Sequence, residues 1–174
     1  GQEMTIDTHT PTRRGILRGA LGLSACLAVP AWSQTGKASG AARAVSVAQI
    51  VDTSADQLDA LCSVAVTKPM IVQNRCYAMR GWDSAVREIC RKEGIIYQGF
   101  SLLTANPHVL ESGAVHAMAR RLNTGVAQIV FRFAMQIGML PLTGTTNQQH
   151  MKEDLTAESL ALTAEEMQTI ENMG

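Results

Sequence analysis

The chain has 174 residues with 15 basic and 15 acidic side chains, so it carries no formal net charge. That balance gives no electrostatic reason to expect a nucleic acid or an anionic membrane as partner. Hydrophobic residues make up 46% and aromatics only 4%; this suffices for one globular core, built mainly from Val, Ile, Leu, Met and Ala.

The first readable segment is "TPTRRGILRGALGLSACLAVPAWSQ", Thr10 to Gln34. Adjacent Arg13 and Arg14 precede a short apolar run that ends in small residues, the pattern of a twin-arginine export signal. Residues 1–33 are therefore expected to be a signal segment, disordered or helical, with Met4 as the natural start. A chain so equipped is periplasmic or exported; it stays cytoplasmic if the signal does not function. The apolar run contains Arg18 and falls short of the roughly 20 apolar residues that cross a bilayer. Residues 34–45, rich in Gly, Ser and Ala, read as a linker.

From there two textures alternate. Short runs rich in β-branched and other apolar residues predict strands over 45–51, 70–76, 94–100 and 138–144. Helical spacing predicts helices over 54–66 (Leu58, Leu61 and Cys62 on one face), 82–94 (Ala85, Ile89 and Cys90) and 114–122 (Val115, Met118, Ala119 and Leu122). The segment 126–138 is apolar on nearly all sides and predicts a buried helix. Thr163 and Glu166 have capping-box spacing and predict a final helix over 163–173.

Strand–helix alternation of this kind predicts a parallel α/β domain. There is no G-x-G-x-x-G fingerprint and no P-loop, so the alternation favours a (β/α)8 barrel or part of one, with about four βα units over residues 46–174. In a barrel the chemistry lies at the C-terminal ends of the strands. Those ends fall at Gln73, at Phe100–Ser101 and at "TGTTN", residues 143–147. Cys62, Cys76 and Cys90 remain once Cys26 is set aside with the signal. An odd count with no metal-ligand spacing reads as small buried hydrophobes, and no metal site is expected.

Four linked stretches carry a resemblance: "KPMIVQNRCY", "GIIYQGFSLLTANP", "VAQIVFRFAMQIGMLPLTGTTNQQHMKEDL" and "LTAEEMQTIENM". Together they resemble the C-terminal half of the aldo-keto reductases. The resemblance implies a (β/α)8 barrel that transfers hydride from NADPH to an aldehyde or ketone. It makes Gln73 the partner of the nicotinamide carboxamide and Phe100 the shelf on which the ring stacks. It puts Ser101 and Leu103 on the pyrophosphate loop, with Leu102 where the family has proline, which loosens that loop. Thr145 and Thr146 match the phosphate-binding turn, and His150 stands where an arginine often holds the 2′-phosphate. Glu153 and Asp154 match the acidic–amide pair near the adenine.

The sequence also departs from the family. Gly144 replaces the lysine of the phosphate turn, and Val51–Asp52 replaces a Ser–Asn pair that clamps the carboxamide. NADP(H) binding is therefore expected to be weak or absent. The family's catalytic tyrosine, lysine, aspartate and histidine lie in the N-terminal half, which has no counterpart here, so no catalytic residue is assigned. Tyr97 reads as packing against an outer helix, and Tyr77 as a rim residue. Half a barrel leaves two open sheet edges. Such a chain is expected to dimerise or to pair with a separately encoded N-terminal barrel half. Three readings follow: a cofactor-holding fragment inactive alone, an exported binding module that reuses the scaffold, and an oxidoreductase completed by a partner chain.

Overall fold

The computed structural model describes residues 49–174; the signal, the linker and the start of the first predicted strand lie outside the described residues. Four strands, β1 (Gln49–Val51), β2 (Ile71–Arg75), β3 (Ile96–Phe100) and β4 (Leu140–Pro141), form one sheet in the order β1-β2-β3-β4. All three pairings are parallel. The connections are helical: α1 (Ala55–Val64) follows β1, α2 (Ser84–Glu93) follows β2, and α3 (Pro107–Leu110), α4 (Gly113–Arg121) and α5 (Val126–Gln136) follow β3. Helices α6 (Gln148–Thr156) and α7 (Ala164–Glu171) follow β4. This is the predicted α/β architecture, four βα units of the barrel kind.

Register explains which face is which. Neighbours in a parallel register point to the same side, and successive residues alternate. One row runs Ile50, Val72, Tyr97 and the next Asn74, Gly99, Pro141. Val72, Tyr97, Asn74, Gly99 and Pro141 are all buried under the helices. The missing side chain of Gly99 leaves room for the Met139 thioether, which a Cβ there would displace. The alternate rows, Val51–Gln73–Gln98–Leu140 and Arg75–Phe100, face the other way. In a closed barrel that face is the interior. Here, among the described residues, Val51 is 51% and Ile96 41% exposed. At one edge Leu142 N–H donates inward to the Gly99 carbonyl at 2.8 Å, so the outward position belongs to Pro141, which has no N–H to offer a neighbouring strand.

The helices pack as an outer layer. Helix α5 buries Gln128, Ile129, Val130, Phe131, Phe133 and Ala134, as its all-round apolarity predicts. Helix α1 buries Leu58 and Cys62 but leaves Leu61 exposed. Helix α2 buries Val86 and Cys90, with Ile89 partly covered and Ala85 exposed. The predicted face of α2 was thus one residue out of phase. The helix starts at Ser84 rather than Trp82, because Gly81, Trp82 and Asp83 take φ of 63°, 53° and 58° and break the run. Trp82 is fully buried there. Its Nε1–H donates to the Ile170 carbonyl at 3.1 Å, and its ring lies 4.9 Å from that of Phe133. One aromatic residue thereby fastens α7 and α5 to the end of the β2 unit. The predicted capping box closes as expected: Glu166 N–H donates to Thr163 Oγ1 at 3.2 Å, and Thr163 N–H to Glu166 Oε2 at 2.8 Å.

Among the described residues no helix is long and apolar enough to cross a membrane.

Candidate cofactor site

Gln73 and Phe100 stand on the same open face, Gln73 in the row of Val51 and Gln98, Phe100 one row further toward the strand ends. Both are half-buried. The Gln73 Oε1 accepts a hydrogen bond from Gln49 Nε2, and its amide N–H groups have no hydrogen-bond partner among the described residues. Val51 is exposed beside it, and Asp52 follows in a left-handed conformation at φ 54° with its N–H bonded to the Gln73 carbonyl at 3.0 Å. The β1 end therefore offers no second amide to a carboxamide.

The loops above these residues are tied together by a side chain that sequence reading missed. Asn106 is fully buried. Its Nδ2 donates to the carbonyls of Cys76 (3.0 Å) and Leu102 (2.8 Å), and its Oδ1 accepts from Ala78 N–H at 2.6 Å. The loop after β3 is therefore not slack for want of a proline. Leu102 is buried in the core and Leu103 packs partly against it. Ser101 turns the chain at φ 58° and its carbonyl accepts from Ala105 N–H at 2.8 Å. A buried amide does what a proline ring was expected to do.

A second missed residue, Asn74, braces the β1 loop from the helix side. Its Oδ1 accepts from Thr53 N–H at 3.0 Å, and its Nδ2 donates to the Thr53 carbonyl at 2.8 Å and to Asp83 Oδ2 at 2.7 Å. Tyr97 completes this group by donating its hydroxyl to Asp83 Oδ2 at 2.7 Å. Burial first, then the neighbouring Cys76 and Asp83, pushes the Tyr97 hydroxyl far above the usual phenolic range. Tyr97 is thus a packing residue, as expected, with a locked hydroxyl.

The phosphate turn lies at the start of α6. Asn147 caps this helix, its Oδ1 accepting from Gln149 N–H at 2.8 Å and His150 N–H at 3.4 Å. Thr145 Oγ1 accepts from Asn147 N–H at 3.1 Å. Thr146 and His150 are exposed at the same end, and half-buried Glu153 accepts from Gln149 Nε2 at 2.8 Å one turn further. An anion here would compete with the Asn147 side chain for the helix's first N–H groups. Asp154 points elsewhere. It is buried, and its carboxylate accepts from Gln128 Nε2 at 3.2 Å and Thr143 Oγ1 at 3.0 Å, so it fastens the turn to α5. Gly144 is exposed, and a Cβ added there meets nothing within 4 Å. A shallow concavity of about 510 Å³ lined by His116, Arg120, Thr124 and Val126 lies at the turn between α4 and α5. It contains none of the residues above.

Cys62, Cys76 and Cys90 are buried and unpaired, as their reading predicted. Burial pushes the Cys76 and Cys90 thiols up to about 12 from 9.0. A folded-state pKa raised on an acid leaves stability intact below the unfolded pKa and removes it as pH climbs toward the folded one. Stability should therefore be flat up to about pH 9 and then fall by about 1.4 kcal/mol per pH unit for each thiol that ionises only on unfolding. Denaturant melts from pH 7 to 11 check this, and replacing Cys76 and Cys90 with alanine or serine should flatten the alkaline limb.

A parallel sheet with helices on one face and polar and aromatic side chains at the strand ends defines this chain as a (β/α)-barrel-type protein. Comparison with known proteins makes the class specific. The chain belongs to the Aldo/keto reductase family, whose profile matches residues 33–174. It is 29% identical over 138 residues to deoxymugineic acid synthase 1 of Zea mays, covering 75% of this chain and 42% of that one. It is 24% identical over 123 residues to aldo-keto reductase family 1 member A1 of Xenopus tropicalis, covering 66% of this chain and 37% of that protein. Among solved structures, an aldo/keto reductase from Brucella melitensis superposes with a TM-score of 0.63 at 17% identity, over 72% of this chain and 48% of that one. An aldo-keto reductase complexed with NADPH gives a TM-score of 0.64 at 14% identity, over 71% of this chain and 40% of that one. The chain thus spans less than half the length of these relatives.

Proposed function

We propose that this chain carries the cofactor-holding part of an NADP(H)-dependent carbonyl reductase site, and that alone it binds the dinucleotide weakly and reduces no carbonyl. The observation that carries this reading is the pairing of Gln73 and Phe100 on one open sheet face, with the Thr145–Thr146 turn leading into α6. An aromatic face suits a flat nicotinamide ring, which gains by offset stacking. A glutamine with free amide hydrogens suits its carboxamide. Family membership supports NADP(H) as the cofactor, and a structural neighbour is complexed with NADPH. The group would rest on Gln73 and Phe100 at one end and on Ser101, Thr145, Thr146, His150 and Glu153 at the other; when bound it supplies hydride. Leu103 lines the loop between. Asp154 acts by holding the turn, at one remove from the ligand.

The weakness of binding has a physical origin in Gly144 and in the Asn147 cap. The turn lacks a cation, and its N–H groups already have a partner. Gly144→Lys tests the reading constructively. The backbone there has room for a side chain, and a charge-assisted contact to phosphate contributes about 1.5–3 kcal/mol. NADPH affinity should rise by about tenfold or more in a calorimetric titration and fall back with Phe100→Ala. An unchanged affinity in Gly144→Lys removes the turn from the site.

The open interior face supports pairing with a second copy or with a separately encoded barrel half, which would also complete the catalytic constellation. Arg13 and Arg14 support export, so a periplasmic reporter fused to residues 4–40 should lose its activity with Arg13→Lys and Arg14→Lys together. The alternative reading, an exported binding module on the same scaffold, is favoured if no dinucleotide binds at all.

A further inference from the structure

Arg75, the last residue of β2, and Arg80 both hold their guanidiniums over the ring of Tyr77. The Arg75 guanidinium carbon lies 5.5 Å and that of Arg80 5.2 Å from the centroid of the Tyr77 ring. Both arginines are exposed and Tyr77 is half-buried. Among the described residues, no ion pair joins either guanidinium to a carboxylate. Other arginines of the chain are engaged differently: Arg87 donates to the carbonyls of Trp82 and Ile137, Arg91 to Glu88, and Arg121 to Glu166. Asp83, the acid nearest in sequence to Arg80, is held on the helix side by Asn74 and Tyr97.

The position of this pair matters more than its charge. Arg75 is the register partner of Phe100 and lies two residues beyond Gln73 on the same strand. Alternation puts Gln73, Arg75 and Phe100 on one face. A ring stacked on Phe100 would therefore have the Arg75 backbone beside it, one strand away. Stacking on Tyr77 restrains the two planar, permanently charged forks without satisfying their hydrogen-bond donors. Two restrained guanidiniums with open donors suit a carboxylate or phosphate, which each can grip in bidentate fashion.

From this arrangement we infer that Arg75 and Arg80, held by Tyr77, form an anion-recognition site that selects carbonyl substrates bearing a carboxylate or phosphate. This deepens the proposed function and rests on it for the location of the reacting end. Tyr77 is then a positioning residue for the two arginines. The site would hold the anionic tail of an oxo-acid or phosphorylated aldehyde, with its carbonyl turned toward the cofactor shelf.

The test uses the full chain with NADP⁺ present and two probes of nearly equal shape, 4-formylbenzoate and its neutral counterpart 4-formylbenzamide. Dissociation constants are read by NMR titration, and NADPH affinity is measured separately for every variant. The benzoate is expected to bind at least tenfold more tightly than the amide. In Arg75→Gln with Arg80→Gln that preference should fall to near one while NADPH affinity is unchanged, and Arg75→Lys with Arg80→Lys should keep part of it. Equal binding of the two probes by the native chain overturns the inference, as does a preference that survives the Gln pair. An equal loss of NADPH affinity in the Gln pair would make the arginines part of the cofactor site and overturn the substrate assignment. Arginine-dependent preference in a chain that binds no NADPH would keep the anion site and remove the cofactor reading. NADPH binding with no preference would do the reverse. Far-UV circular dichroism confirms that each variant is folded, and both arginines are exposed enough for the fold to tolerate the changes.

Discussion

Asn106→Ala is expected to cost about 3 kcal/mol or more of folding stability. The substitution removes three hydrogen bonds, two of them to the carbonyls of Cys76 and Leu102 and one from the Ala78 N–H. All three partners are backbone groups around a side chain with no solvent exposure. A buried polar group left without a partner costs about 1–3 kcal/mol, and small domains have only about 5–15 kcal/mol in total. Water can enter the space left by the amide and recover part of the loss, which is why the sum of three full penalties is not expected. Asn106→Asp should be no better. It keeps an acceptor for Ala78 but points a carboxylate at two carbonyl oxygens. Urea denaturation followed by far-UV circular dichroism measures the effect. A loss under about 1 kcal/mol would show that the two loops are held by other contacts. Because Asn106 joins the loop after β2 to the loop after β3, NADPH affinity should fall with stability even under conditions where the variant remains folded.

The second large effect is an absence of turnover. The chain alone is expected to show no reduction of activated aldehydes by NADPH above background. Hydride delivered to a carbonyl carbon leaves charge on oxygen, which a positioned acid must neutralise in place. Such an acid contributes about 10²–10⁴ in rate, and orientation of the substrate is a separate and larger contribution. The chain contains two tyrosines. Tyr97 is buried on the helix side of the sheet, with its hydroxyl donated to Asp83 and its pKa raised rather than lowered. Tyr77 lies just past the end of β2 with the guanidiniums of Arg75 and Arg80 over its ring, and its assigned role is to hold them. Following the absorbance of reduced nicotinamide with a panel of aldehydes is sufficient. Turnover abolished by Tyr77→Phe would make that residue the missing acid. Turnover that survives Tyr77→Phe but disappears on dilution would place the acid on a second chain.

Among the described residues, local periodicity was enough to find every strand of the sheet and five of the seven α-helices, because their side-chain patterns differ in period and their ends carry caps such as Thr163 and Glu166. The two remaining helices show where that signal fails. Helix α3 is four residues long, too short for any period. Helix α6 has a polar surface and buries only Asp154, so its place was legible through family resemblance alone. Strand β4 shrank from seven predicted residues to two because it pairs on one side and carries Pro141. The rows facing Gln73 and Phe100 followed from strand alternation once the register was known. The candidate cofactor residues were legible through the family resemblance, which matched them one by one on β2, the end of β3 and the loop after it, the turn after β4 and helix α6.

What the sequence alone determined about this protein was therefore its βα order, its family and the chemistry available at each strand end. Only the tertiary structure decided how those ends are held and what lies beside them. Asn106 reaches across to a loop about 30 positions earlier in the chain, Asp154 fastens to Gln128 and Thr143, and Arg75 comes to lie opposite Phe100. Each of these depends on a contact between elements distant in sequence. Hydrogen-bond satisfaction in a buried interior selects such partners by their position in space, and no spacing along one segment encodes that position.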